Sequence, residues 1–147
     1  GIPGIYSARY GGKDFPQGRP DGTKPSQEEQ NKFLIQETDF AIKALSSQGM
    51  SLPEDPRSCR YVCAMVLYLG PQRFYSAQET MEGSLIKSLD LSRGIGGFGY
   101  DPIVILAGTD KTIAQLSAQE KNSLSHRGKA ARGLHQILLS LDSSLTN

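Results

Sequence analysis

The sequence predicts an α/β fold, because two segments open on helix-capping boxes and a long β-rich apolar run lies between them. The first box is Ser26-Gln27-Glu28-Glu29, where a hydroxyl and a carboxylate three residues apart each satisfy the other's backbone N–H. The second is Ser117-Ala118-Gln119-Glu120, with the same spacing. The run from Ser58 to Leu69 is nearly continuous in apolar character, the pattern of a central strand covered on both faces. With 147 residues and 37% hydrophobic content, one globular domain with its own core is expected.

Taken in order, Gly1 to Tyr10 reads as a turn followed by a short irregular segment. Gly1-Ile2-Pro3-Gly4 is turn chemistry without an initiator Met, and we expect the chain to be the C-terminal portion of a longer protein. Gly11 to Pro25, rich in Gly and Pro, predicts an exposed loop. A helix then starts at the Ser26 box and stops near Gly49, with Phe33, Phe40 and Ala44, and Leu34, Ala41 and Leu45, as its apolar stripe. After the central strand, Gly70-Pro71 turns the chain, and Arg73 to Glu79 and Thr80 to Leu89 read as further strand with Gly83 at a bulge. A glycine loop from Arg93 to Asp101 leads into a short buried strand, Ile103 to Leu106. The Ser117 box opens another helix. Ser125 is a good N-cap for a fresh one, whose Ala131, Leu134, Leu138 and Leu141 dock on the sheet. The tail after Asp142 is expected to fray.

Charge and hydropathy narrow the function classes. A formal net charge of +1 lacks the basic excess that duplex DNA or a membrane surface demands. The longest apolar run, Tyr61 to Leu69, is nine residues against the roughly 20 that a spanning helix needs. No secretory pattern opens the chain. We therefore expect no nucleic-acid partner, no membrane and a cytoplasmic location. Cys59 and Cys63 would stand about 13 Å apart on one strand face, beyond disulfide reach, and no His lies near enough in sequence to complete a zinc site. Two buried thiols are the expectation.

The chemistry concentrates in Gly96-Gly97-Phe98-Gly99-Tyr100-Asp101-Pro102. Glycines let the backbone turn tightly, and two aromatic faces exposed on such a hinge suit a nucleobase, the alternative for Phe98 and Tyr100 being core packing beside a structural turn. Gly94 to Gly99 also matches G-x-G-x-x-G, but Pro102 and a β run follow where a dinucleotide site needs a helix N-terminus. An RNA-binding strand would need a basic residue where Gly96 stands and an apolar one in place of Asp101. Ser84-Leu85-Ile86-Lys87 lacks the motifs that accompany S-x-x-K nucleophiles, and Ser125-His126 lacks a nucleophile elbow. Lys121, His126, Arg127, Lys129 and Arg132 form either a solvated helix face or a set of donors to the guest. On an unbroken helix Lys121 and Arg127 point roughly 120° apart, so they converge only if the helix breaks between them. A new helix N-terminus at that break would also offer N–H donors.

Three segments in order resemble one family. Gly1 to Tyr10 resembles G-x-P-G-x-Y-S-A-R-Y. Gly96 to Pro102 resembles G-G-F-G-Y-D-P. Glu120 to Ala130 resembles E-K-x-x-x-S-H-R-G-x-A. The family is the inosine triphosphate pyrophosphatases, which act on non-canonical purine nucleoside triphosphates. The resemblance implies an α/β fold with a mixed elongated β-sheet flanked by helices, two lobes with a central cleft, and a homodimer. It implies hydrolysis of ITP, dITP and XTP to the monophosphate and pyrophosphate with Mg²⁺. It also implies base stacking by Phe98, a pocket wall completed by Gly99, Tyr100 and Asp101, and nucleotide contacts from Lys121, His126 and Arg127. The family's phosphate-binding segment and its D-D-S-G-L segment, which carries the acid that activates water and helps hold Mg²⁺, have no match in the 147 residues. The resemblance thus assigns no catalytic and no metal-ligating residue to this chain. The alternative is a purine-nucleotide-binding module without catalysis.

Overall fold

A computed structural model describes residues 1–145. It shows an α/β chain with three helices, α1 (Gln27–Ser47), α2 (Ala118–Leu124) and α3 (His126–Leu145), and three strands, β1 (Ser58–Tyr68), β2 (Phe74–Leu85) and β3 (Val104–Leu106). The strands lie in the order β1-β2-β3. The chain divides into two compact units, one of Gly1–Cys59 with Gly83–Gln115, the other of Arg60–Glu82 with the residues from Leu116 onward.

In the first unit, α1 begins where its capping box places it. Ser26 N–H donates to Glu29 Oε2 at 2.8 Å and Glu29 N–H to Ser26 Oγ at 3.2 Å. The expected apolar stripe is only partly used, since Phe40 is 68% exposed and Ala41 and Leu45 are also exposed. The buried positions are instead Gln30, Asn31 and Ile35. The reason is polar: Gln30 Nε2 donates to the Ala8 carbonyl at 3.3 Å, so this face of the helix serves a loop backbone. Arg57 ties α1 to the residue that follows β2 through an ion pair with Asp39 and a 3.0 Å bond to the Ile86 carbonyl. The stretch from residue 11 to 25 is a loop, although Gly11, Gly12 and Pro25 are buried within it.

β2 and β3 pair antiparallel with Gly83 opposite Leu106 and Leu85 opposite Val104. Gly83 therefore sits in regular register, and the expected bulge is absent. Close approach explains the glycine, because a Cβ there would lie 2.5 Å from the Ile105 carbonyl oxygen. Tyr10, Ile103 and Ile113 are fully buried in this unit.

In the second unit, β1 and β2 form a hairpin closed by Leu69 N–H to the Arg73 carbonyl at 2.9 Å. β1 alternates between exposed and half-buried residues, so it is not the doubly covered strand that its composition predicts. α3 covers one face only. A Cβ at Gly133 would meet Ala77 Cβ at 3.6 Å, and the His126 ring lies 5.3 Å from that of Tyr61. The opposite face carries the Arg60–Glu82 pair at 3.3 Å and leaves Val62, Val66, Tyr68 and Phe74 more than half exposed. Cys59 and Cys63 are half-buried thiols without a disulfide. Along α3, Ala130 is fully buried and Leu134 half-buried, while Ala131 and Leu138 are exposed. The backbone of α3 continues helical to Leu145; the remainder of the tail expected to fray lies outside the described residues.

Candidate functional site

The glycine loop is sewn to its surroundings along its length. Arg93 N–H donates to the Pro102 carbonyl and Gly96 N–H to the Ala114 carbonyl, each at 3.2 Å, while Thr112 Oγ1 donates to the Arg93 carbonyl at 2.7 Å. Gly94 has a φ of +83°, and a Cβ on it would lie 2.6 Å from the Ala114 carbonyl oxygen, so no other residue fits. Gly99 at φ +67° separates the two aromatic residues and sends them into opposite environments. Phe98 is 64% exposed and Tyr100 9%. The expectation of two exposed rings therefore holds for Phe98 alone. Tyr100 is a core residue whose hydroxyl donates to the Ser7 carbonyl at 3.0 Å, and burial pushes its phenol up to about 12.

Asp101 is 4% exposed, and its Oδ2 accepts the Phe98 N–H at 3.0 Å. The carboxylate is thereby spent on shaping the loop that presents the ring. Ile95, fully exposed on the same loop, is a second apolar side chain available to a flat guest. The sequence signals the first only through the Phe98-to-Asp101 spacing of three, and Ile95 stands in sequence only as an apolar residue where a smaller or polar one is expected, with no periodicity to announce its exposure.

The opening segment is held in the same unit by three side chains. Besides Tyr100 on Ser7 and Gln30 on Ala8, the Tyr10 hydroxyl donates to the Glu37 carboxylate, which also accepts the Lys13 N–H. Burial and this carboxylate together raise the Tyr10 phenol well above its ordinary range. Two of the three segments that carry the resemblance are thus bonded to each other through Ser7 and Tyr100.

Lys121, His126 and Arg127 lie on α2 and α3, in the other unit. The helix break that their convergence requires is present. Ser125 adopts extended angles (φ −67°, ψ 147°), its N–H closes α2 on the Lys121 carbonyl at 2.9 Å, and its Oγ caps α3 by accepting the Gly128 N–H at 3.0 Å. Lys121 thus lies in the last turn of one helix while His126 and Arg127 start the next, and the exposed Arg127 side chain stands on the first turn of α3. The other two cations of the cluster serve the backbone: Lys129 Nζ donates to the Thr80 carbonyl at 2.9 Å, and Arg132 to the Asn122 and Ser123 carbonyls at 2.8 and 2.6 Å. His135 is exposed on α3.

Among the described residues, no three His, Cys, Asp or Glu side chains cluster closely enough to hold a metal ion. The carboxylates nearest the motifs are engaged, Asp101 with Phe98 and Glu120 with the Ser117 N–H at 2.7 Å. These residues do not by themselves fit a protein-held Mg²⁺. Also among the described residues, no helix is long and apolar enough to cross a membrane.

The antiparallel sheet, the glycine loop that leads into its last strand and the broken helix pair after it define a recognisable class of α/β chain. Residues 1–137 match the Ham1 family, and the chain belongs to it. It is 39% identical over 138 residues to a dITP/XTP pyrophosphatase of Treponema denticola, covering 94% of this chain and 59% of the relative. It is 32% identical over 139 residues to one of Bacillus subtilis, covering 94% and 58%. The Ham1 protein of Staphylococcus aureus aligns with a TM-score of 0.65 at 30% identity, over 95% of this chain and 59% of that one. A HAM1 protein from Coxiella burnetii aligns with a TM-score of 0.67 at 28% identity, with the same coverage. The chain therefore spans about three fifths of the length of these relatives.

Proposed function

We propose that this chain carries the base-recognition part of an enzyme that hydrolyses dITP, ITP and XTP to the nucleoside monophosphate and pyrophosphate. The relatives named dITP/XTP pyrophosphatase supply the substrate class. The observation that carries the reading is Phe98, which is 64% exposed and whose backbone N–H is held by the buried Asp101 carboxylate. An exposed aromatic ring on a loop tied down by hydrogen bonds stacks a purine at reduced ordering cost.

In this reading Phe98 stacks the base, Gly99, Tyr100 and Asp101 build that wall, and Lys121, His126 and Arg127 contact the nucleotide. Donors from the His126-Arg127 pair suit the 6-oxo group of hypoxanthine or xanthine. Opposite the 6-amino group of adenine the same donors would lose their acceptor, which is the physical basis for rejecting ATP. Water attacks the α-phosphorus and gives up a proton to solvent, the new P–O bond forms, the bond to the bridging oxygen breaks, and pyrophosphate leaves with that electron pair. Mg²⁺ belongs to this reading as charge neutralisation on the triphosphate. A cytoplasmic homodimer belongs to it as well. The exposed Val62, Val66, Tyr68 and Phe74 support self-association, which sedimentation of wild type and Val66→Glu would test.

A second reading, nucleotide binding without hydrolysis, draws support from the engagement of Asp101 and Glu120 with backbone amides. Pyrophosphate release from dITP, ITP, XTP and ATP with Mg²⁺, measured beside IMP binding, separates the two. Release from the first three and not from ATP supports the enzyme; IMP binding without release supports the module; neither release nor binding overturns both.

A further inference from the structure

We propose that Arg132 is a positioning residue: its guanidinium clamps the last turn of α2 onto the first turn of α3 and so sets where Lys121 stands relative to His126 and Arg127. This rests on the proposed role of those three residues at the nucleotide.

The need for a clamp follows from helix geometry. α2 has seven residues and ends at Leu124, so its final carbonyls lose their intrahelical partners. The Ser125 N–H takes the Lys121 carbonyl. The next two go to one side chain ten and nine residues away: Arg132 Nη1 reaches Asn122 O at 2.8 Å and Nη2 reaches Ser123 O at 2.6 Å. A planar fork matches two neighbouring acceptors, where an ammonium is a single point donor.

A second observation falls on the same carbonyl. A Cβ built on Gly128 would lie 2.0 Å from Asn122 O, so the first turn of α3 sits directly against the last turn of α2. The missing side chain at Gly128 permits the approach, and the Arg132 fork holds it. Ser125, the single residue between the helices, leaves no linker that could absorb a change in angle. Arg132 therefore acts through the backbone of α2, and no contact with the guest is needed.

The test compares wild type with Arg132→Ala and Arg132→Lys. Amide exchange at Ser125 and Gly128 should quicken about tenfold in the alanine variant, the scale of losing a charged hydrogen bond, while amides in the middle of α3 hold their rate. The Kd for IMP should rise about fivefold, and where dITP is turned over its KM should rise by the same factor with kcat within about twofold, since the clamp aims binding groups and no reacting one. Lysine should restore only part of both. A general loss of folding would instead lower apparent kcat and leave KM alone. Unchanged exchange in the alanine variant overturns the clamp, and unchanged IMP affinity overturns its positioning role. A wild-type chain that neither binds nor turns over dITP would sink the proposed function, and the exchange rates would still decide the clamp.

Discussion

The backbone N–H of Phe98 donates to the carboxylate of Asp101, three residues on, at 3.0 Å, while the ring of Phe98 points into solvent. Ring and anchor thus have separate roles. Phe98→Ala should weaken IMP binding by about 1–3 kcal/mol, the worth of one base–aromatic stack, and leave the melting temperature unmoved, since an exposed ring contributes little to folding. Calorimetric titration and thermal unfolding of the same sample check both halves.

Asp101→Ala should do what Phe98→Ala does not. It removes an acceptor that is 4% exposed, so the loop itself loosens and unfolding free energy drops by about 1.5–3 kcal/mol. IMP affinity falls with it. Asp101→Asn keeps one acceptor oxygen and should land between, as read by denaturant titration.

Two glycines of α3 should respond with opposite signs. Gly128→Ala places a methyl 2.0 Å from the Asn122 carbonyl and should cost about 1–3 kcal/mol. Gly133→Ala meets Ala77 Cβ at an ordinary 3.6 Å and should gain up to about 1 kcal/mol of helix propensity. Thermal melts of the two variants side by side decide this.

Alkaline pH should expose the buried phenol of Tyr100. Its ordinary value is 10.0, and burial raises it to about 12 in the folded chain. Between those values the unfolded chain has released the proton that the folded chain keeps, so stability is intact below pH 10 and falls as pH climbs toward 12. Tyr10 adds to the same trend. Tyr100→Phe should flatten the slope of unfolding free energy against pH in that window, and an unchanged slope would count against the assignment.

Each capping box should be worth about 1 kcal/mol, as read from Ser26→Ala and Ser117→Ala. At the first box, acid should also act. The Ser26 backbone N–H, then Arg19, hold the Glu29 carboxyl below its ordinary value, so its contribution is present above that value and is lost as pH falls through the folded one. Glu29→Gln should flatten the acid limb of the stability curve.

Local chemistry made much of this structure legible in advance. Both capping boxes, the break at Ser125 and the glycine loop are each encoded within fewer than ten consecutive residues, and each forms where the spacing places it. What did not read through depends on partners far along the chain. β1 has the composition of a buried strand, yet cover on one face only leaves Val62 and Val66 exposed. The buried face of α1 carries Gln30 because Ala8 needs a donor, which no periodicity of apolar residues can announce. Tyr100 looked like a partner of Phe98 until Ser7, 93 residues away, claimed its hydroxyl. The cations of the last segment looked equivalent in sequence, and backbone carbonyls took Lys129 and Arg132 out of the group.

Ser125 ends one helix and begins the next with nothing to spare on either side. Insertions and deletions are usually absorbed by slack in a connecting loop, and this junction has none. One extra residue at the junction would turn every side chain of α3 by about 100° about its axis, carrying His126 off Tyr61 and Lys129 off Thr80 together. Substitution can drift through this stretch one position at a time; its length cannot.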